Sequence, residues 1–130
     1  MKIPKALLAT DINAYSDQGA IKKAEFHKVG KSFLRQLAKE LSLTKGEFEV
    51  RSNMGGVAVS GEVTLHANKL YIQMSESSMS NRGISLPYRT CKNMKDYCGG
   101  SNNFTDLSSL NTSESNQDRF INDCKQILAN

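Results

Sequence analysis

The sequence predicts an α+β fold of two layers, with amphipathic helices packed on one face of a mostly antiparallel four-stranded sheet in the order α-α-β-β-β-β-α. Three observations carry this. Apolar side chains recur every three or four residues between positions 26 and 41, the period falls to two from position 47, and a helical period returns after position 118. At 130 residues the chain sits near the commonest domain size and is too short for a second core, so residues 1–130 read as a single domain.

Residues 4–15 (PKALLATDINAY) open on a proline tolerated in a helix's first turn and continue with good helix formers, which predicts a short N-terminal helix. Asp17 then caps a second helix over residues 18–42. Its Phe26, Val29, Phe33, Leu37 and Leu41, with Leu34 beside them, share one side, while Lys28, Lys31, Arg35 and Lys39 gather near the other. Gly46 fits the turn into the sheet.

Phe48 and Val50 alternate with charged neighbours, and Val57, Val59, Gly61, Val63 and Leu65 alternate with Ala58, Ser60, Glu62, Thr64 and His66, giving two half-buried strands. Gly55 and Gly56 after Asn53 supply hairpin chemistry between them. Leu70, Ile72 and Met74 make a third strand, joined through a tight hairpin at Ala67-Asn68 in which Asn68 is suited to positive φ. Residues 75–83 read as a polar loop. Residues 84–91 resume an extended pattern, and Pro87, lacking an amide proton, assigns that fourth strand to an edge or a bulge. Residues 92–117 read as loop, Ser/Asn-rich from about 99, and a closing helix over 118–129 carries Phe120, Ile121, Cys124, Ile127 and Leu128 on one face.

The formal net charge is +4, and all of the excess is N-terminal: residues 1–46 hold nine Lys or Arg against four acids, and the rest of the chain is balanced. The line Lys28, Lys31, Arg35, Lys39 is therefore a candidate phosphate-contacting surface, against the ordinary alternative of a solvated helix face. If all four charges neutralise duplex phosphates, log affinity falls with log salt at a slope of roughly −3.6. A second candidate is the segment from Tyr88 to Asn103, where Arg89, Lys92 and Lys95 supply charge, Tyr88 and Tyr97 supply area, and Gly99-Gly100 lets backbone amides approach a ligand. The third is the polar sheet face of Arg51, Ser60, Glu62, Thr64, His66, Tyr71 and Gln73, on which Tyr71 is the one aromatic that the pattern places.

The signals for catalysis are weak. Cys91, Cys98 and Cys124 are an odd number with no paired metal-ligand spacing, and His27 and His66 show no partner spacing either, so no metal is expected and Cys98 is a poor nucleophile candidate. A Cys91–Cys98 disulfide fits an oxidising compartment; reduced thiols in a cytoplasmic protein fit the absence of a leader-like run better, since the apolar stretch 6–9 is short and Asp11 closes it. Neither a Walker loop nor a dinucleotide fingerprint is present, and no cofactor or membrane is implied.

The order of helix, antiparallel strands and helix resembles the double-stranded RNA-binding domain in topology. The closing helix begins at Asp118 and carries Asp123 where that family has a basic start, so no residue roles carry over. In being short and free of a catalytic motif the chain also resembles accessory proteins of phages and plasmids, the anti-restriction and anti-CRISPR inhibitors among them. The expected function is a non-enzymatic binding protein that contacts nucleic acid or a nucleoprotein complex through the basic helix and the Gly-rich loop. The alternative is a mobile-element inhibitor that blocks a protein or nuclease complex.

Overall fold

The computed structural model describes residues 1–76, 83–97 and 100–130. A five-stranded antiparallel sheet in the sequential order β1-β2-β3-β4-β5 carries its helices on one face.

Helix α1 (Asp17–Glu40) forms where the periodicity places it, but its cap is Ser16, whose hydroxyl accepts from the Gly19 amide at 3.0 Å. Asp17 sits in the first turn, where its charge suits the helix dipole. At the other end Ser42 takes φ 61°, and the Leu43 amide returns to the Ala38 carbonyl at 2.9 Å, closing the helix two residues before the predicted boundary. The helix lies close on the sheet at Gly30, where a Cβ would stand 3.1 Å from Met74 and 3.2 Å from Val63. That contact seats Phe26, Phe33, Leu34 and Leu37 in the core with Leu65 and Ile72.

The N-terminal helix expected over residues 4–15 is reduced to a 3-10 turn at Lys5–Leu7. Beyond it the chain is a strap. The amides of Asp11 and Ile12 donate to the Glu76 carboxylate at 2.7 and 2.9 Å, Asp11 takes φ 58°, and Ile3, Leu7 and Ile12 are buried beneath. A long-range carboxylate thus captures amides that a helix would have used internally.

Strands β1 (Phe48–Asn53) and β2 (Glu62–Ala67) pair antiparallel, but β2 starts five residues later than the alternation from Val57 suggests. Residues 54–61 form a loop pinned to α1: Lys23 Nζ donates to the Gly56 carbonyl at 2.8 Å and His27 Nε2 bonds the Ser60 carbonyl at 2.7 Å. Gly61, at φ 72°, turns the chain back into β2 where a Cβ would meet the Asn53 carbonyl oxygen at 2.3 Å. The β2–β3 hairpin forms as expected, with β3 at Leu70–Glu76, although Asn68 is not among the positive-φ residues.

The fourth strand, β4 (Ile84–Thr90), is not an edge, because β5 (Asn102–Asp106) pairs along it. The β3–β4 ladder runs from Leu70–Thr90 to Ile72–Tyr88 and resumes at Ser75–Ser85, so the interruption falls beside Pro87, which has no proton to donate. The Ser/Asn-rich stretch holds more than loop. After β5 come α2 (Leu107–Thr112), capped by Asp106, and α3 (Glu114–Ala129), capped by Ser113. Leu107, Leu110, Phe120 and Cys124 are buried under β3 and β4, which is why six residues without strong helical periodicity still form a helix. The 75–83 loop and the Gly99-Gly100 pair fall largely outside the described residues, as does Cys98.

Candidate functional site

Side chains alternate across a strand, so the register decides what the helix-free face of the sheet displays. One cross-strand row holds His66, Tyr71, Arg89 and Asn102; the next holds Thr64, Gln73, Pro87 and Phe104. Glu62 lies one row further, diagonal to Gln73. After β4 the segment 91–97 folds back over the β1–β2 side of this face. It is fixed by the Cys91 amide to the Lys69 carbonyl at 2.9 Å, Cys91 Sγ to the Ala67 carbonyl at 3.3 Å, and the Lys92 amide to the Asp96 carboxylate at 2.9 Å.

Tyr97, at the end of that segment, stands beside the sheet and is 57% exposed. Arg51 holds it there. Its Nη1 donates to Tyr97 Oη at 2.7 Å, its Nη2 donates to the Met94 carbonyl at 3.3 Å, and its Nε donates to Glu49 at 2.8 Å within an ion pair. The His66 ring is sandwiched edge-on between Tyr71 and Tyr97, with centroids 4.9 and 5.2 Å away. Burial holds its imidazole below the usual 6.5. Arg89 lies over the Tyr71 ring at 4.4 Å, a cation–π contact, and donates from Nη1 to its neighbour's carbonyl at Thr90. Burial, with Glu62 contributing, raises the Tyr71 phenol, so it remains a donor; it donates to Gln73 Oε1 at 3.3 Å.

These groups enclose an open cavity of about 480 Å³, lined by Glu62, Tyr71, Gln73, Pro87, Arg89, Tyr97, Asn102 and Phe104. Phe104 is 76% exposed, the most exposed large apolar side chain described. Three aromatic rings therefore border one concavity: Tyr71 in its floor, Tyr97 on the β1–β2 side and Phe104 on β5.

The residues singled out from the sequence divide between two sides of the molecule. Arg89 and Tyr97 line the cavity, and Lys92 and Lys95 lie exposed on the segment that ends in Tyr97. Lys28, Arg35 and Lys39 are exposed and Lys31 half-buried on α1, which packs against the opposite face of the sheet. Among the described residues none of these four meets a carboxylate. The expected joint surface of basic helix and loop is thus two surfaces, one on each layer. Two further expectations are corrected. Tyr88 points inward, 5% exposed, with its hydroxyl donating to Asp123 at 2.7 Å, and Ser60 leaves the sheet face to accept from the Glu76 amide at 3.0 Å. Phe104 lies outside the candidate segment, which ends at Asn103, and nothing in the sequence places Asn102 on a strand, because β5 is not predicted. The available signal was a lone aromatic inside N-N-F-T-D, five residues that end in a helix cap.

Burial pushes the Cys91 thiol up and that of Cys124 up to about 12, so neither described thiol supplies a thiolate near neutral pH. Among the described residues no group of three His, Cys, Asp or Glu side chains could hold a metal ion, and no helix is long and apolar enough to cross a membrane. Comparison with protein-family models, with curated proteins and with solved structures found no match for this chain.

Proposed function

We propose that this chain is a non-enzymatic binding protein that holds single-stranded nucleic acid, alone or within a nucleoprotein complex, on the helix-free face of its sheet. The observation that carries this reading is the pair of exposed rings, Tyr97 and Phe104, bordering a cavity floored by Tyr71 and Arg89. Unpaired bases have free π-faces and stack on aromatic side chains, each stack worth about 1–3 kcal/mol, whereas duplex bases are already stacked on one another. Lys92 and Lys95, exposed on the segment that ends in Tyr97, are the proposed phosphate partners. The basic stripe of α1 is a second cationic surface, on the opposite layer from a strand lying on the helix-free face.

Fluorescence anisotropy with a labelled single strand and its duplex tests this. Single-strand binding should exceed duplex binding, and Tyr97→Ala and Phe104→Ala should each weaken it about 5- to 150-fold. Equal affinity for both forms, unchanged in the two variants, overturns the reading.

A second reading, a phage- or plasmid-type inhibitor of the anti-CRISPR or anti-restriction class, is supported by a different feature. Met54, Val57 and Val59 are exposed by 46, 57 and 52% on a loop that His27 and Lys23 fasten to α1, an apolar protein-contacting surface with little entropy left to lose. Capture of a protein partner that survives nuclease treatment and is lost in Val57→Asp favours it.

A further inference from the structure

A binder indifferent to sequence needs stacking surfaces and positive charge, and a carboxylate aimed at the bases works against it. This cavity has one. Glu62 lines it from β2, half-buried, and among the described residues its carboxylate forms no hydrogen bond or ion pair. Beside it, diagonally across the β2–β3 pair, Gln73 is already oriented: its Oε1 accepts from the Tyr71 hydroxyl at 3.3 Å, which leaves Nε2 to donate into the cavity. On the β2–β3 side the polar edge is therefore two carboxylate acceptors next to one amide donor, with Arg89 and Asn102 lining the β4–β5 side.

Resting on the single-strand reading above, we infer that this cavity is a guanine-recognition subsite. Guanine alone among the bases carries two adjacent donors on its Watson–Crick edge, N1–H and N2–H, with the acceptor O6 next to them. The two donors match the two Glu62 oxygens and O6 matches the Gln73 amide. Adenine sets its N1 lone pair against the carboxylate, cytosine does so with N3 and O2, and thymine or uracil offers a single donor flanked by two acceptors. Each of these leaves Glu62 desolvated without full hydrogen bonding, a larger penalty than the loss of one favourable contact. Tyr97 and Phe104 at the margins supply the stacking surface for the purine, while the Arg89 guanidinium lies over the Tyr71 ring. The requirement is for the base, so guanine in a strand and a free guanine nucleotide both satisfy it.

The test uses the full chain and thymine strands of about seven nucleotides with one central guanine, adenine, cytosine or inosine, together with guanosine monophosphate alone. The guanine strand should bind about tenfold or more tightly than the adenine strand, a bidentate pair being worth that discrimination. Inosine, which keeps N1–H and O6 but lacks the N2 amine, should fall between them. Glu62→Gln should remove the preference, read as the ratio of guanine-strand to adenine-strand affinity falling to about one. An unchanged thermal melt for that variant separates recognition from folding.

Strand binding that requires Tyr97 and Phe104 but ignores base identity overturns the guanine subsite and leaves the single-strand reading intact. Binding of guanosine monophosphate, abolished by Glu62→Gln, with no affinity for any strand does the reverse. Failure of both ligands overturns both.

Discussion

The exposed side of α1 and the helix-free face of the sheet both carry basic residues, and they use them in opposite ways. On α1, Lys28, Lys31, Arg35 and Lys39 follow one line with no aromatic among them and no carboxylate partner among the described residues. Such charges attract a polyanion from a distance and are screened beyond about 10 Å at 0.1 M salt. On the sheet, Arg51 and Arg89 are occupied internally, one bracing Tyr97 and the other lying over Tyr71. Their charge shapes a cavity instead of reaching into solvent. A count of cations ranks α1 first; the geometry ranks the sheet first, because recognition needs rings and hydrogen-bonding groups held in place as well as charge.

The comparison breaks most directly at the rings. Loss of Tyr97 or Phe104 carries the largest expected effect, about 5- to 150-fold in single-strand affinity each. If neither variant loses affinity, the sheet is not the binding face. The guanine preference comes next, at about tenfold, and its collapse in Glu62→Gln would sharpen the sheet from a platform into a selective site.

Arg51→Ala probes the bracing. Without donors to Tyr97 Oη and the Met94 carbonyl, the 91–97 segment loses its tie to β1, and single-strand affinity should fall about fivefold with faster dissociation, measurable by stopped flow. An unaltered dissociation rate would mean that Tyr97 is positioned by its packing on His66 alone.

Acidification tests both layers, since one buried histidine, His27 on α1, fastens the 54–61 loop and another, His66, packs against Tyr97. Burial holds both His27 and His66 below their usual 6.5. The unfolded chain therefore takes up protons near that pH which the folded chain refuses until the pH is lower. Stability from this source is complete above about pH 7.5 and falls as the pH drops through 6.5. Melting temperature should decline between about pH 7.5 and 5, and His27→Gln should flatten the decline; an equally steep decline would assign the acid sensitivity elsewhere. The smallest effect is expected on α1. Replacing Lys28, Lys31, Arg35 and Lys39 together by Gln should change single-strand affinity less than about threefold, whereas direct phosphate contact by all four would remove roughly 2.8 from the salt slope.

Much of the scaffold was legible. The three- and four-residue spacing from Phe26 to Leu41 gave α1 and its buried face, and the alternation of Leu65, Leu70, Ile72 and Met74 gave the central hairpin, because burial on one side imposes a period that side chains record. The candidate site was legible only in pieces. The alternation places Tyr71, Gln73 and Glu62 on the polar face and leaves Arg89 and Tyr97 in the Tyr88–Asn103 segment, with nothing in their spacing to say that they meet. β5 left little trace because an edge strand is held by backbone hydrogen bonds to β4, which Asn102, Asn103 and Thr105 supply as readily as valines. The N-terminal strap was hidden for a similar reason: its partner, Glu76, is more than sixty residues away.

By itself, then, the sequence determined the fold class, the helix-covered side of the sheet and the position of the excess charge, all of which depend on local periodicity and composition. Tertiary structure alone decided that the basic helix and the Arg89–Tyr97 region occupy opposite layers, and that Phe104 closes a cavity with Glu62, Gln73 and Tyr97. The physical reason is register: strands from distant parts of the chain must pair before their alternating side chains share a row, and a slip of one residue would turn those rows to the other face.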